Sequence, residues 1–225
     1  MANIIAVSRQ FGSGGARIGR AVAQALGFQY ADREILAEAA RRLNVQASVL
    51  EPLEERSASV WERMGSLFAL GAPDTPFVPP TLPSVDESRL FEVERPIIRG
   101  IAARGNAVIV GRGAAHILGA SRDVLRVFLH APLQERVSLA MEEYGFTERT
   151  QAEAVVRESD SARAKFVKAL TGRSWCDSTL YDITMDTNVV GVERAVEILV
   201  ELVRRPPARP LPPIVPRTAA DRDAH

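Results

Sequence analysis

Three glycines follow an apolar segment near the start of the chain, in an arrangement typical of a phosphate-binding site. The segment Ile4–Val7 is apolar throughout, Gly12, Gly14 and Gly15 come next, and an amphipathic run follows. Glycines let backbone N–H groups approach an anion closely, and the N-terminus of a helix adds the positive end of its dipole. Strand, glycine loop and helix in this order predict a phosphate-binding loop. A tight strand-to-helix turn without a ligand is the alternative.

The loop departs from the usual phosphate-binding pattern at the position that carries charge. In G-x-x-x-x-G-K-[ST], Gly14 fits, whereas Gly15 stands where the pattern has a lysine. That lysine neutralises the transferring phosphoryl group. Arginine can bind phosphate oxygens in a bidentate manner, so a neighbouring arginine is a chemically reasonable substitute. Arg9, Arg17 and Arg20 are the nearby cations, and each is a candidate.

A dinucleotide-binding loop is a second interpretation of the same glycines. Gly12 and Gly14 begin the pattern G-x-G-x-x-G, and Asp32 lies where an acid that binds ribose is expected. Arg17, however, occupies the third glycine position. The incomplete pattern makes this interpretation the weaker of the two.

Charged residues also follow other apolar runs of the chain. Asp32 and Arg33 come after the second run, and Arg112 stands between two glycines after the third. Because the carboxyl ends of parallel strands face the ligand crevice, these residues are candidates for binding a ligand. Asp32 could equally be the N-cap of the next helix. An anion-binding role is favoured for Arg112, since an arginine between glycines is hard to explain by packing.

A third charged group lies in a long helical stretch towards the C-terminus. Arg157, Asp160 and Lys165 fall at roughly helical intervals there, and Asp160 and Arg163 form an i,i+3 pair. A solvated face with salt bridges is the usual meaning of such spacing, and a substrate-binding face is the alternative.

Five apolar, β-branched runs alternate with helical patterns, which predicts a parallel α/β sheet covered on both faces. The predicted strands are Ile4–Val7, Phe28–Ala31, Ala107–Val110, Leu125–Leu129 and Tyr181–Met185. We expect the Ile4 strand to be central.

A long insert, residues 33–104, separates the second and third predicted strands. Its predicted parts are helices at Arg33–Leu43, Leu50–Leu70 and Ser88–Arg104, the last kinked at Pro96, and a proline-rich loop at Gly71–Ser84. The insert is either a packing appendage or a mobile arm that binds substrate. After the main domain, residues 1–205, the proline-rich residues 206–225 are predicted to form a disordered tail.

Composition narrows the class of protein. A chain of 225 residues with 46% hydrophobic residues can bury one sizeable core. Lys+Arg and Asp+Glu both number 28, which argues against a protein that coats nucleic acid. Cys176 is the single cysteine, and no apolar run approaches the roughly 20 residues of a membrane span. We therefore expect a cytoplasmic protein with a small-molecule substrate and no nucleic-acid or membrane partner.

These segments together resemble the cytidylate kinase-like family of P-loop nucleoside-monophosphate kinases, collinearly over residues 3 to 204. The segments that carry the resemblance are Ser8 to Gly15, Ala23 to Leu26, Tyr30 to Arg33, Val108 to Arg112, Val127 to Ala131 with Glu135-Arg136, Asp160 to Arg163, Trp175, Tyr181-Asp182 and Asp186-Thr187. The resemblance implies a P-loop NTPase-type three-layer fold with a five-stranded parallel sheet, a helical insert and a lid near residues 146–178.

The resemblance also implies an activity: transfer of a phosphoryl group from ATP to CMP, dCMP or a related small acceptor, with Mg²⁺. The residues it assigns to ATP are Gly12, Ser13, Gly14, Gly15, Ala16 and Arg17. The residues it assigns to the acceptor are Asp32, Arg33, Arg112 and Asp160. The arginines expected to act in catalysis are Arg9, Arg17, Arg157 and Arg163.

Four positions differ from the family pattern. Gly15 replaces the loop lysine, Arg17 the hydroxyl residue that helps to hold Mg²⁺, Val110 the acid before Gly-Arg, and Arg33 the serine that reads cytosine. The first three, at the metal and phosphate positions, motivate an alternative function, a catalytically inactive nucleotide-binding sensor or interaction module. The retained arginines favour the enzyme.

Overall fold

The computed structural model of the protein describes residues 2–32, 35 and 87–204. Four of the sequence predictions lie largely or wholly outside these residues: the helices at 33–43 and 50–70, the loop at 71–84 and the tail at 206–225. Arg33, a predicted acceptor-binding residue, is also outside them.

The described strands form one sheet in which every pairing is parallel. The strands are β1 (Ile4–Arg9), β2 (Gln29–Ala31), β3 (Ala107–Val110), β4 (Val124–His130) and β5 (Ile183–Asp186). Their order is β2-β3-β1-β4-β5, so β1 lies between β3 and β4 at the centre. This confirms the predicted five-stranded parallel sheet and its central strand.

Helices connect the parallel strands, because a parallel pair needs a long crossover. The described helices between strands are α1 (Gly15–Leu26), α2 (Glu87–Arg104), α3 (Ala114–Leu118), α4 (Leu133–Tyr144) and α5 (Arg149–Thr171). Helices α6 (Thr187–Val190) and α7 (Val192–Arg204) follow β5. Helix α2 matches the last predicted helix of the insert and includes Pro96.

Two apolar clusters cover the two faces of the sheet. Successive residues of a strand point to opposite faces. Ile4 accordingly belongs to the cluster that contains Ile98 of α2 and Val167 of α5, whereas Ile5 belongs to the cluster that contains Val22 of α1 and Leu199 of α7. The central strand is therefore buried on both faces, and the fold has three layers.

A third, smaller apolar cluster lies beside the glycine loop rather than on the sheet. Phe11 of the loop packs with Val137 and Ala140 of α4 and with Ala152 and Val156 of α5. Helices α4 and α5 are thereby fixed to the loop by burial of apolar surface, and this cluster positions the charged residues described below.

The last predicted strand begins two residues later than the sequence suggested. Tyr181 follows a 3₁₀ turn at Ser178–Leu180, in which the N–H of Thr179 donates to the side chain of Asp177. The Tyr181 hydroxyl donates to the carbonyl oxygen of Trp175 at 2.9 Å, and its ring stacks on Phe128. Tyr181 is thus part of the core, but it lies between the 3₁₀ turn and β5 and not within a strand.

Candidate active site

The first half of the glycine loop, Gln10–Ser13, is bound to the protein on several sides. The N–H of Phe11 donates to Oδ1 of Asp160 at 2.9 Å, and the carbonyl oxygen of Phe11 accepts from Nη1 of Arg136 at 3.0 Å. Gly12 has a φ of 76°, and a Cβ on it would overlap the backbone carbonyl group of Arg136. Only glycine fits at residue 12, because both its conformation and its space exclude a side chain.

Ser13 ties the same half of the loop to the end of β4. Its hydroxyl is buried and lies 2.8 Å from the carbonyl oxygen of Gln10 and 3.3 Å from that of Leu129. The N–H of Gln10 also donates to the Leu129 carbonyl oxygen at 2.9 Å. The shape of Gln10–Ser13 is therefore fixed by hydrogen bonds within the protein.

The second half of the loop, Gly14–Arg17, presents the N-terminus of α1. Gly14 is the N-cap of the helix with a φ of 72°, and the cap makes no side-chain hydrogen bond. The first turn of α1 contains no acidic residue. The first N–H groups of a helix lack intrahelical acceptors, and the dipole adds partial positive charge there. This arrangement suits an anion at the carboxyl end of the central strand.

Arg9 lies directly against this half of the loop. A Cβ on Gly15 would be only 2.6 Å from the Cβ of Arg9, which shows that the stem of the arginine crosses Gly15. Its guanidinium lies over Gly111 at the end of β3, and Nη2 is 3.8 Å from Oδ1 of Asp32. The side chain is 16% exposed, and the cation lies near the carboxyl ends of β1, β2 and β3.

The other predicted cations near the loop are bound elsewhere on the surface. Nη2 of Arg17 lies 3.4 Å from Oε1 of Glu193 on α7, and the Arg17 side chain is 61% exposed. The guanidinium of Arg20 lies over the ring of Tyr30 at 5.2 Å. Of the three arginines proposed as substitutes for the lysine, Arg9 is the one whose stem crosses the loop.

Asp160 connects α5 to the loop and to α4. Besides the Phe11 N–H, it accepts from Nη1 of Arg136 at 2.6 Å, and Nη1 of Arg163 lies 3.8 Å from its Oδ1. Arg163 also donates to Oγ of Ser159 at 2.6 Å, and its guanidinium lies 5.7 Å from the centre of the Phe11 ring. The structure thus brings Asp160 and Arg163 to the loop.

Arg157, the third charged residue predicted on this helix, is placed differently. It forms an exposed pair with Glu153 at 2.7 Å. The roles predicted for Arg157, Asp160 and Arg163 in catalysis or acceptor binding stay predictions.

The buried Arg136 has a role that the sequence did not reveal. Besides its bonds to Phe11 and Asp160, it donates through Nε to the Ala131 carbonyl oxygen at 2.9 Å. A signal existed, since Glu135-Arg136 was part of the family resemblance, but nothing in the sequence says that this arginine lies under the loop.

Asp32 and Arg112 lie at the ends of neighbouring strands. Asp32 accepts from the Tyr30 hydroxyl at 3.3 Å, and burial, followed by the charge of Asp32, raises the pKa of Tyr30 to about 12. Arg112 is 4% exposed and pairs with Glu94 of α2 at 3.2 Å. Burial raises the pKa of Glu94 to about 8. Arg112 therefore anchors α2 in this conformation, and acceptor binding by both residues stays a prediction.

A metal site built from protein side chains is not formed by the described residues. Among residues 2–32 and 87–204, no three or more His, Cys, Asp or Glu side chains come close enough to hold an ion. Mg²⁺ at nucleotide sites is commonly held by phosphate oxygens and water with one or two carboxylates. In the same part of the chain, no helix is both long and apolar enough to cross a membrane.

Comparison with known families decides the class of the protein. The profile of the cytidylate kinase-like family matches residues 4–189. The chain belongs to the cytidylate kinase-like family. The matched range begins with β1 and the glycine loop and ends in α6, so the family features cover the entire described sheet. No curated protein matches the sequence significantly.

Solved structures share the fold of this family member. A crystal structure of an uncharacterized protein from Eubacterium ventriosum is 20% identical, with a TM-score of 0.63 over 89% of this chain and 98% of the other. Shikimate kinase from Bacteroides thetaiotaomicron is 18% identical, with a TM-score of 0.51 over 90% and 98%. Shikimate kinase from Acinetobacter baumannii, in complex with shikimate, is 14% identical, with a TM-score of 0.50 over 93% and 96%. At these identities the likeness establishes a P-loop kinase fold.

Proposed function

We propose that the protein transfers a phosphoryl group from ATP to a nucleoside monophosphate, with CMP and dCMP as the first acceptors to test. Membership of the cytidylate kinase-like family and the P-loop kinase fold support a kinase-like function. The observation that carries the proposal is the N-terminus of α1, which has no side-chain cap and lies behind the glycine loop with Arg9 beside it.

The donor phosphates would be held by the second half of the loop. Gly14 and Gly15 place no side chain over the first turn of α1, and an anion there would gain from several backbone donors at once. The residues present thus fit the triphosphate of ATP. Mg²⁺ would neutralise charge on the phosphate oxygens, with Asp32 as a carboxylate near the crevice.

The acceptor would lie at the carboxyl ends of β2 and β3. Asp32 and Arg112 are there, and Arg33 follows Asp32 in the chain. A carboxylate can accept from the hydroxyl or amino groups of a nucleoside, and an arginine can bind its phosphate. Arg112 would have to exchange its buried Glu94 partner for the phosphate, or serve by holding α2 in place.

Catalysis would consist mainly of positioning and charge neutralisation, as in other phosphoryl transfers. Arg163 extends from α5 towards the loop and would stabilise charge on the transferring group. Arg163→Ala should then lower kcat strongly with little change in KM, because an interaction made only in the transition state affects kcat. Full kcat in this variant would contradict the role.

A nucleotide-binding sensor without catalysis is the second candidate. It is favoured by Gly15, whose missing side chain leaves the loop without its lysine, and by Arg17 and Val110, which stand where the family pattern has a hydroxyl residue that helps to hold Mg²⁺ and an acid. Each such contact can contribute several kcal/mol to transition-state stabilisation.

A coupled ADP-release assay separates the two candidates. The acceptor panel should contain CMP, dCMP and other nucleoside monophosphates, with shikimate as a small acceptor that is not a nucleotide. Turnover with CMP or dCMP above the ATPase background supports the kinase. Binding of ATP in a parallel calorimetric titration, without acceptor-stimulated turnover under several divalent metals, supports the sensor.

A further inference from the structure

Residues 9 and 15 depart from the phosphate-loop pattern in opposite directions. In G-x-x-x-x-G-K-[ST], the first position is glycine and the seventh residue is lysine. This chain has Arg9 at the first position and Gly15 at the seventh. Compared with the pattern, the long cationic side chain thus lies at the end of the strand, and the glycine lies at the start of the helix.

The two positions compete for the same space. A Cβ built on Gly15 would lie 2.6 Å from the Cβ and 2.7 Å from the Cγ of Arg9. Real Cβ atoms essentially never come so close to a neighbour, and the nearest atoms belong to the constrained base of the arginine. A side chain at residue 15 therefore requires the Arg9 stem to move.

The charged end of Arg9 is held in a defined place. A Cβ on Gly111, where φ is 81°, would overlap the guanidinium, so this glycine makes room for it. Nη2 of Arg9 also lies 3.8 Å from Oδ1 of Asp32, which follows β2. Arg17, the rival cation, is 61% exposed and lies against Glu193 on α7.

We propose that Arg9 and Gly15 are a reciprocal exchange, in which Arg9 supplies from the strand the phosphate-binding cation that a lysine at residue 15 ordinarily supplies from the helix. The inference rests on the proposed binding of ATP at the loop. The proposal assigns the phosphate-binding cation to Arg9. It also explains why residue 15 is glycine, since any side chain there would collide with the stem of Arg9.

The steric part is tested without any nucleotide. Residue 15 has an ordinary helical backbone, so Gly15→Ala introduces only a methyl group. We expect Gly15→Ala to lower the melting temperature of the unaltered chain by several degrees. In an Arg9→Gly background the same change should have little effect or raise the melting temperature, because the stem is gone and alanine favours helix. Equal effects in both backgrounds would overturn the exchange.

The functional part is measured by calorimetric titration with ATP and Mg²⁺, with melting temperature as a check of folding. Arg9→Ala should weaken binding about 10- to 100-fold, as expected for loss of a charge-assisted contact. Arg17→Ala tests the rival cation and should weaken binding much less than Arg9→Ala, because Arg17 pairs with Glu193 at the surface. Arg194→Ala, which breaks an exposed pair with Glu197 on α7, is the control and should change binding less than about threefold. The double variant Arg9→Gly with Gly15→Lys should recover most of the lost ATP affinity, because it restores the ordinary arrangement of glycine and lysine.

The outcomes separate the inference from the proposed function. Binding that survives Arg9→Ala, or that falls equally with Arg17→Ala, overturns the inference and leaves nucleotide binding intact. No binding of ATP by the unaltered chain overturns the proposed function and with it the phosphate role of Arg9.

Discussion

The two halves of the glycine loop differ in how their polar groups are used. In Gln10–Ser13, the backbone of Phe11 and the hydroxyl of Ser13 are hydrogen-bonded to α4, α5 and the end of β4. In Gly14–Arg17, the N-cap makes no side-chain bond to the helix. Gln10–Ser13 is therefore held in place by hydrogen bonds to the rest of the protein, whereas Gly14–Arg17 offers the N-terminus of α1 to a ligand. A rigid first half holds the second half in the geometry that an anion needs, so less conformational entropy is lost when the anion binds.

Loss of the buried arginine under the first half should have the largest effect. Arg136→Met removes the bonds to Ala131 and Phe11 and leaves Asp160 without its closest cation, so we expect the free energy of unfolding to fall by about 3–5 kcal/mol. Urea denaturation measures this. Arg149, which also joins α5 to α4 but on the surface, is the control, and Arg149→Met should cost less than about 1 kcal/mol. Similar losses of unfolding free energy for the two variants would show that the hydrogen bonds of Arg136 do not specifically stabilise Gln10–Ser13.

The glycines of the two halves should differ in the cost of a methyl group. Gly12→Ala meets both a left-handed backbone and the Arg136 carbonyl group, and we expect a loss of about 2–4 kcal/mol. Gly14→Ala meets the same backbone penalty, but its nearest neighbour, Val192, is at an ordinary 3.6 Å, so about 1–2 kcal/mol should be lost. Thermal unfolding of both variants tests this. A greater loss for Gly14→Ala would reverse the assignment of the two halves.

Stability near the acceptor side should depend on pH through Glu94. Its pKa is raised by burial to about 8 from an ordinary value of 4.5, so between these values the folded protein holds a proton that the unfolded chain has lost. The free energy of unfolding should therefore fall as pH rises from about 4.5 to 8, by at most roughly 1.4 kcal/mol per unit, and become level above that. Glu94→Gln should flatten the curve in this window. An unchanged slope in the variant would exclude Glu94 as the source.

The exposed pair on α5 should matter least for stability. Arg157 and Glu153 are four residues apart on the helix surface, and Arg157 is 63% exposed. Arg157→Ala should change the free energy of unfolding by less than about 0.5 kcal/mol. A fall in kcat without a change in stability would then support the catalytic role predicted for Arg157. A loss of 2 kcal/mol or more would show that this face of α5 is structural instead.

Much of the fold could be predicted from the sequence, because buried parallel strands are apolar throughout. The run Ile4–Val7 and the run Ala107–Val110 both became strands, and the first was correctly placed at the centre. Tyr181 was predicted to begin the last strand, but it follows a 3₁₀ turn at Ser178–Leu180 that the Asp177 side chain caps. A side-chain cap of this kind overrides β propensity locally.

The site was predicted less completely, because its contacts join residues far apart in the chain. The glycine pattern identified the loop, but the sequence left Arg9, Arg17 and Arg20 as equal candidates. The stem of Arg9 over Gly15 distinguishes them only in three dimensions. Arg136 and Asp160, separated by 24 positions, likewise meet beneath the loop only when α4 and α5 pack together.

Amide resonances of the loop, recorded by NMR with and without ATP and Mg²⁺, test the central claim most directly. The account predicts large shifts and slowed hydrogen exchange at Gly14, Gly15, Ala16 and Arg17, where the N–H groups would turn to phosphate. The amide of Phe11, already bound to Asp160, should change little. Shifts at Phe11 with none at Gly14–Arg17, or no change in the loop at saturating ATP, would contradict the account.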